Sequence, residues 1–191
     1  MKFSVKKISG RARLGNLSLA HGNVQTPAFM TVGTYGSVKS LTNQDLDNCK
    51  VPIILCNAYH LMIRPEQSLI EKAGGLNKFM NWTKPILTDS GGYQVFSLSN
   101  QNKVSKNGVE FKSPIDGTKL FMSPQKSIET QLMLGSDIMM IFDECTPYPC
   151  SRDDTERSME LSLTWAEMSH TANASKKPLF AIVQGGMYTD L

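Results

Sequence analysis

The hydrophobic residues of this chain occur in short runs that end in polar or glycine-rich turns. Between Phe3 and Ala28, β-like runs are separated by glycines, a pattern that predicts a hairpin or a small β-meander. From about Thr26 onward, apolar runs give way to stretches with helical caps and helical period. This part of the chain is therefore predicted to alternate strands with helices.

Four of the predicted strands run directly into polar residues. They are Ile53–Leu55 before Cys56 and Asn57, Ile86–Thr88 before Asp89, Ile138–Phe142 before Asp143, and Leu179–Val183 before Gln184. Because parallel strands present their carboxyl ends at one edge, the polar residues that follow them are expected to meet.

Capping residues mark the predicted helices between these strands. Thr42 and Asp45 have the spacing of a capping box, Ser123-Pro124 begins a helix that Gly135 ends, and a helix over about Pro65 to Ala73 stops at Gly74. Ser151, with two acids close behind it, starts a helix that is expected to bury Met159, Leu163 and Ala166 on one stripe.

The strand and helix alternation is interrupted over about residues 100–122. Asn107-Gly108 lies between two valines, and Asp116-Gly117 lies between Ile115 and Leu120, so two hairpin turns are predicted there. We expect a β insertion in a loop between a strand and a helix.

Parallel strands joined by helices form either an open doubly wound sheet or a (β/α)₈ barrel. A G-x-G-x-x-G after the first strand, typical of the open sheet, is absent, which favours the barrel. Such barrels need about 200 residues at the least and usually about 250. We therefore expect residues 1–191 to form the N-terminal portion of a single barrel domain, poorly stable alone, without the C-terminal barrel half.

Composition adds limits to this picture. Hydrophobic residues make up 40% of the 191 and charged residues 19%, which excludes a disordered or fibrous chain. The net charge of +3 is too small to indicate a nucleic-acid binder by itself. The first residues lack a secretory apolar stretch, so a cytoplasmic protein is expected. The four cysteines form no C-x-x-C pair, so no zinc site is expected within this chain.

The segment from Asp89 to Tyr93 combines several residue types that are suited to binding a ligand. A carboxylate and the Ser90 hydroxyl are followed by Gly91 and Gly92, which let a flat ligand approach the backbone, and by a ring that can stack on it. Together with Asn57, Asp143 and Gln184 these residues suit a purine, since a carboxylate accepts the two adjacent donors of guanine.

Other interpretations of these residues stay open. Each polar residue can be a helix cap or loop starter, and the glycines can form a tight turn with Tyr93 in the core. Two carboxylates also suit glycoside hydrolysis.

Several long strings resemble the bacterial tRNA-guanine transglycosylases, also called queuine tRNA-ribosyltransferases. They are Thr88-Asp-Ser-Gly-Gly-Tyr-Gln-Val-Phe-Ser-Leu98, Phe142-Asp-Glu-Cys-Thr-Pro-Tyr-Pro149, Thr26-Pro-Ala-Phe-Met-Thr-Val-Gly-Thr34, Asn57-Ala-Tyr-His-Leu61 with Arg64-Pro65, and Ile182-Val-Gln-Gly-Gly186. They occur in the order of the family and cover nearly the whole chain.

The resemblance implies a (β/α)₈ barrel that replaces guanine at the anticodon wobble position of tRNA with a 7-deazaguanine, the queuosine precursor. Asp89 would be the general acid and base, and Asp143 and Gln184 would recognise the base. Ser90, Gly91 and Gly92 would line the pocket, and Tyr93 would stack on the base. A covalent ribosyl-enzyme intermediate, a homodimer and a bound zinc ion also belong to the family.

The family's nucleophile is a different aspartate in a downstream motif, and the Cys-x-Cys-x-x-Cys plus His zinc ligands are also downstream. We therefore expect neither within residues 1–191, and little catalysis from this chain alone. The competing hypothesis is a non-catalytic tRNA-binding or partner subunit. For tRNA phosphates, the best candidates are the insertion lysines, Lys103, Lys106, Lys112 and Lys119.

Overall fold

The computed structural model describes residues 1–98 and 102–191 and shows a mixed α/β fold. The start of the predicted insertion, at 100–101, lies outside the described residues. The strands are β1 (Lys2–Ser9), β2 (Ala12–Leu19), β3 (Gly22–Thr26), β4 (Thr31–Val32), β5 (Ile54–Cys56), β6 (Ile86–Thr88), β7 (Lys103–Ser105), β8 (Gly108–Lys112), β9 (Lys119–Met122), β10 (Met139–Met140) and β11 (Leu179–Phe180). The helices are α1 (Asn43–Asn48), α2 (Ala58–Ile63), α3 (Gln67–Lys72), α4 (Leu76–Phe79), α5 (Gly92–Ser97), α6 (Pro124–Leu134) and α7 (Arg152–Ala172).

The central feature is an array of parallel strands in the order β4-β5-β6-β10-β11. Two sheets, β4-β5-β6 and β10-β11, are joined by a parallel bridge between Leu87 and Ile138. Within the described residues β4 and β11 do not pair with each other, so the array is not a closed barrel. The predicted alternation of strands and helices is confirmed, but β10 and β11 are shorter than their apolar runs.

The two faces of the array carry different cores. Ile54, Cys56 and Ile86 face the helices, where they pack with residues of α1, α2, α3 and α6. Leu87 lies on the other face in a cluster with residues of the N-terminal meander. The split follows from strand geometry, because successive side chains point to opposite faces.

The β-meander of β1, β2 and β3 is confirmed and covers the amino ends of the parallel strands. Leu17 and Val24 pack against Ile53 and Ile138. His21, in the turn after β2, approaches the buried carboxylate of Asp137, with Nδ1 2.9 Å from Oδ1. The meander thus lies at the end of the array opposite to the residues that follow the strands.

The insertion is a three-stranded antiparallel sheet in the order β7-β8-β9, in agreement with the two predicted hairpins. Its first turn is tight, with Ser105 paired to Gly108. Its second loop is longer than a simple Asp-Gly turn, since Lys112 pairs with Lys119.

Helix α7 begins at its predicted cap, Ser151, whose side chain accepts a hydrogen bond from the Asp154 amide. The predicted apolar stripe is wrong, because Leu163 is 59% exposed and Met159 and Ala166 are only half-buried. The buried face consists instead of Thr155, Ser158, Ser162, Trp165 and Ser169. No helix of the described residues is both long and apolar enough to cross a membrane.

Candidate active site

A cavity of about 550 Å³ lies where the parallel strands end. Its floor is apolar and includes Met30, Leu55, Leu87, Met140 and Phe180, all from the face of the array that the helices leave uncovered. Its polar wall contains the predicted site residues Asp89, Ser90, Gly91, Gly92, Tyr93, Asp143 and Gln184. The prediction that residues far apart in sequence meet at the strand ends is therefore confirmed for these positions.

Asp89 is held by three donors. Its Oδ1 accepts hydrogen bonds from the amides of Ala58, at 3.0 Å, and Gly91, at 3.1 Å. Its Oδ2 accepts a hydrogen bond from Asn57 Nδ2. Burial outweighs these donors and raises the pKa of Asp89 from 3.8 to about 6, with a smaller contribution in the same direction from the charge of Asp143.

Asn57 acts on Asp89 rather than on the cavity. It is absent from the described residues that line the cavity. Its side chain is buried and makes two hydrogen bonds. Its Oδ1 caps α2 by accepting from the His60 amide at 3.1 Å, which leaves Nδ2 to bind the carboxylate. The helix cap and the site function are thus combined in one residue.

Asp143 is the more deeply buried carboxylate, with 6% of its surface exposed. Its Oδ2 accepts a hydrogen bond from Gln184 Nε2 at 2.7 Å, and its Oδ1 lies 3.5 Å from the Ser90 hydroxyl. Burial raises the pKa of Asp143, although both hydrogen bonds act in the opposite direction. Two polar side chains from separate loops therefore orient this carboxylate into the cavity.

The turn between β6 and α5 requires its glycines. Gly91 has φ +81°, a left-handed conformation, and a Cβ there would lie 3.0 Å from the Tyr59 Cβ. A Cβ on Gly92 would lie 2.5 Å from the carbonyl oxygen of Asp143. The close approach of these two loops brings the two carboxylates to one cavity.

Tyr93 follows the glycines at the rim of the cavity. It is 62% exposed, so the alternative that places its ring in the core is wrong. An exposed ring at the rim is available to stack on a flat ligand.

Serines of α7, which the sequence did not single out, hold the loop that carries Asp143. Ser169 Oγ accepts a hydrogen bond from the Phe142 amide at 3.2 Å, and Ser162 Oγ accepts from the Glu144 amide at 3.0 Å. These amides flank Asp143 on both sides. The spacing of small hydroxyl residues three and four apart along α7 was the signal that could have revealed this face.

Gln131 of α6 is a second buried support that the sequence did not indicate. Its Oε1 accepts from the Met140 amide at 2.8 Å and from the Thr88 hydroxyl at 3.0 Å. Its Nε2 donates to Met140 O and to Ser127 Oγ, and the Ser127 hydroxyl donates to the carbonyl oxygen of Ser90. The side chain thus links β6 and β10, the strands before Asp89 and Asp143.

No set of three His, Cys, Asp or Glu side chains within residues 1–98 and 102–191 could hold a metal ion. The described residues therefore do not fit the zinc that the resemblance implies.

The queuine tRNA-ribosyltransferase family model matches residues 7–191 of the chain. The chain belongs to the queuine tRNA-ribosyltransferase family. It is 52% identical to the queuine tRNA-ribosyltransferases of Acinetobacter baumannii (strain ATCC 17978) and Acinetobacter baylyi, and 53% identical to that of Psychrobacter cryohalolentis. All of this chain is covered in each case, against 52%, 50% and 51% of the relatives, so the chain spans about half their length.

Proposed function

We propose that this chain provides the base-binding and proton-transfer part of a tRNA-guanine transglycosylase. Such an enzyme, a pentosyltransferase acting on tRNA, exchanges guanine at the anticodon wobble position for a 7-deazaguanine. The observation that carries the proposal is that two carboxylates, half-buried Asp89 and buried Asp143, line one cavity in a member of this family.

Asp143 is the group proposed to recognise the base. Guanine offers two adjacent donors, the ring N–H and the exocyclic amine, and a carboxylate accepts both. Gln184 fixes the orientation of this carboxylate through Nε2, and its own amide lines the same cavity. Ser90, Gly91 and Gly92 border the base, and the ring of Tyr93 stacks on its face.

Asp89 is proposed as the general acid and base. A pKa of about 6 keeps both protonation states accessible near neutral pH. When the bond between the ribose C1′ and guanine breaks, protonated Asp89 supplies the proton that the leaving base takes up. The resulting carboxylate then removes a proton from the incoming base as the new bond forms. The carboxylate nucleophile that holds C1′ between the two steps is not assigned to any of these residues.

The substrate is proposed to be the anticodon loop of tRNA. A base in this loop is already single-stranded, so turning it into the cavity costs less than extruding it from a duplex. The backbone stays intact, because only the glycosidic bond is exchanged. A cytoplasmic location follows from the proposed tRNA substrate.

The parallel array is proposed to be the N-terminal portion of a single (β/α)₈ barrel domain. Support comes from the strand order, from the helices that pack on one face of the array, among them α1, α2, α3 and α6, and from polar residues gathered at the carboxyl ends. The relatives are about twice as long as this chain, which leaves room for the remaining strands. The homodimer and the zinc site belong to the proposal only as properties of such a whole protein.

The proposal is tested by calorimetric titration of the 191-residue chain with guanine and with adenine. We expect guanine to bind and adenine, which lacks the two adjacent donors, to bind far more weakly. Asp143→Asn should abolish this preference, whereas exposed Glu167→Gln should preserve it. Equal binding of both purines would refute base recognition by Asp143.

Catalysis is tested separately by incorporation of labelled guanine into a tRNA with guanine at the wobble position, by a protein in which residues 1–191 are joined to the remaining half that the relatives carry. Incorporation that Asp89→Asn abolishes would support the acid and base role of Asp89. Incorporation that persists undiminished in Asp89→Asn would refute that role.

A further inference from the structure

The outer face of the insertion sheet carries an unusual set of charges. Val109 and Phe111 point to the inner face, where they pack with Tyr59, Phe142 and Trp165. Side chains alternate along a strand, so the residues between and after them point outward. This outer face, called the basic face below, consists of Lys103, Glu110, Lys112, Lys119 and Phe121.

The register of the strands places two positive charges side by side. Lys112 pairs directly with Lys119, an arrangement of like charges that weakens a sheet. Lys103 pairs with Glu110, the only acid of this face. Among the described residues, neither Lys103 nor Lys119 takes part in an ion pair. The basic face therefore has an excess of positive charge.

A groove and an exposed ring accompany these charges. The groove has a volume of about 310 Å³ and is lined by Lys103, Lys112 and Lys119, together with Asn102, Glu110 and Phe111. Phe121, in register with Glu110, is 51% exposed on the same face. Lysines beside an exposed aromatic ring are typical of surfaces that bind single-stranded nucleic acid.

The sheet that carries the basic face packs against elements that border the candidate active site, since Val109 and Phe111 share a buried cluster with Val95 of α5 and with Phe142, which precedes Asp143. Helix α5 begins at Gly92 on the cavity wall and has six residues, which span about 9 Å. Asn102, directly before β7, donates a hydrogen bond from Nδ2 to the carbonyl oxygen of Val95 in α5 at 3.3 Å, and Trp165 Nε1 donates to the carbonyl oxygen of Lys106 at 2.8 Å. The buried cluster below the sheet fixes it against α7.

We propose that the basic face binds the phosphate backbone of an RNA whose base occupies the cavity. Lys103, Lys112 and Lys119 contact phosphates, and Phe121 packs against a ribose or an unstacked base. This inference rests on the proposed function, since it assigns a second contact surface to the same RNA. It does not depend on the catalytic step.

The test is the salt dependence of RNA binding, measured by fluorescence anisotropy. The probe is a labelled anticodon stem-loop with guanine at the wobble position, and the test variant is Lys103→Ala/Lys119→Ala. The control, Lys6→Ala/Lys7→Ala, removes the same charge from exposed positions of β1, in the meander at the opposite end of the array.

Each lysine–phosphate contact contributes about 0.7 to 0.9 to the slope of log K against log salt. The slope of the test variant should therefore be smaller by about 1.4 to 1.8. Between about 50 and 200 mM salt, its affinity for RNA should then fall by a factor about ten times smaller than that of the unaltered chain. The control should leave the slope unchanged, and Glu110→Gln should strengthen binding. All variants should keep the guanine affinity of the unaltered chain and its urea midpoint.

An unchanged slope in the test variant would overturn the inference, as would an equal decrease in the control. A chain that binds guanine but no RNA would also overturn it, while leaving base recognition intact. If guanine does not bind but the slope falls only in the test variant, the proposed function fails and the RNA surface stands. Should the alanine variant unfold, Lys103→Gln/Lys119→Gln replaces it with the same expected slope.

Discussion

The half-buried carboxyl of Asp89 should make the stability of this chain fall as pH rises, whereas most ion-paired acids make stability rise with pH. Its three hydrogen bonds favour the carboxylate, but burial raises its pKa from 3.8 to about 6. The native state therefore holds this proton at pH values where the unfolded chain has released it. By linkage, the free energy of unfolding falls as pH rises between about 4 and 6 and is constant above.

The size of this pH-dependent change in unfolding free energy follows from the pKa shift of Asp89. The difference between 3.8 and about 6 corresponds to about 3 kcal/mol, at about 1.4 kcal/mol per pKa unit. Asp89→Asn removes this titration. It also places an amide opposite Asn57 Nδ2, which lowers stability by an amount that does not depend on pH. The pKa is therefore read from how the difference in unfolding free energy between the two proteins changes with pH. The absolute size of that difference does not report it.

The assay is urea unfolding at a series of pH values, followed by fluorescence of the buried Trp82 and Trp165. The free energy of unfolding of Asp89→Asn, relative to that of the unaltered chain, should increase by about 3 kcal/mol from pH 3.5 to 7. The same difference for Glu167→Gln, an exposed carboxyl on α7, should stay within about 0.5 kcal/mol. A flat difference for Asp89→Asn would refute the conclusion that burial dominates at this carboxyl.

Three further substitutions test the supports of the site. Ser169→Ala leaves the buried amide that precedes Asp143 without its acceptor and should cost about 1 to 3 kcal/mol in urea unfolding. Gln131→Leu removes hydrogen bonds to the amide and the carbonyl of Met140 and should cost at least as much as one such lost bond, about 1 to 3 kcal/mol. Gly92→Ala should weaken guanine binding at least tenfold in calorimetry, because a Cβ lies 2.5 Å from a carbonyl oxygen of the facing loop.

Each of these substitutions has a control in the same chain. Leu163→Ala, on the exposed face of α7, should change stability by less than about 0.5 kcal/mol. Gly117→Ala, where a Cβ meets nothing within 4 Å, should leave guanine affinity unchanged despite its strained turn. Equal losses in the controls, or unfolding midpoints unchanged by Ser169→Ala and Gln131→Leu, would contradict the assigned supports.

Much of the site could be predicted from the sequence because strand ends are local features. Apolar runs that stop at Asp89, Asp143 and Gln184 mark where the chain leaves a strand for a polar loop. In a parallel array these points share one edge, so their convergence needs no knowledge of packing. The caps at Thr42 and Ser123 are equally local, since each is satisfied within one helical turn.

Only the tertiary structure decided which residues support the site residues at that edge of the array. An apolar stripe of α7 through Leu163 was predicted on the assumption that a helix buries its largest hydrophobic residues. The surface that α7 meets is instead the polar backbone around Asp143, whose amides need acceptors, and Ser162 and Ser169 provide them. Asn57 likewise turned toward Asp89, and the pKa of Asp89 was set by burial. Hydrogen-bond partners and desolvation depend on residues distant in sequence, which no local pattern contains.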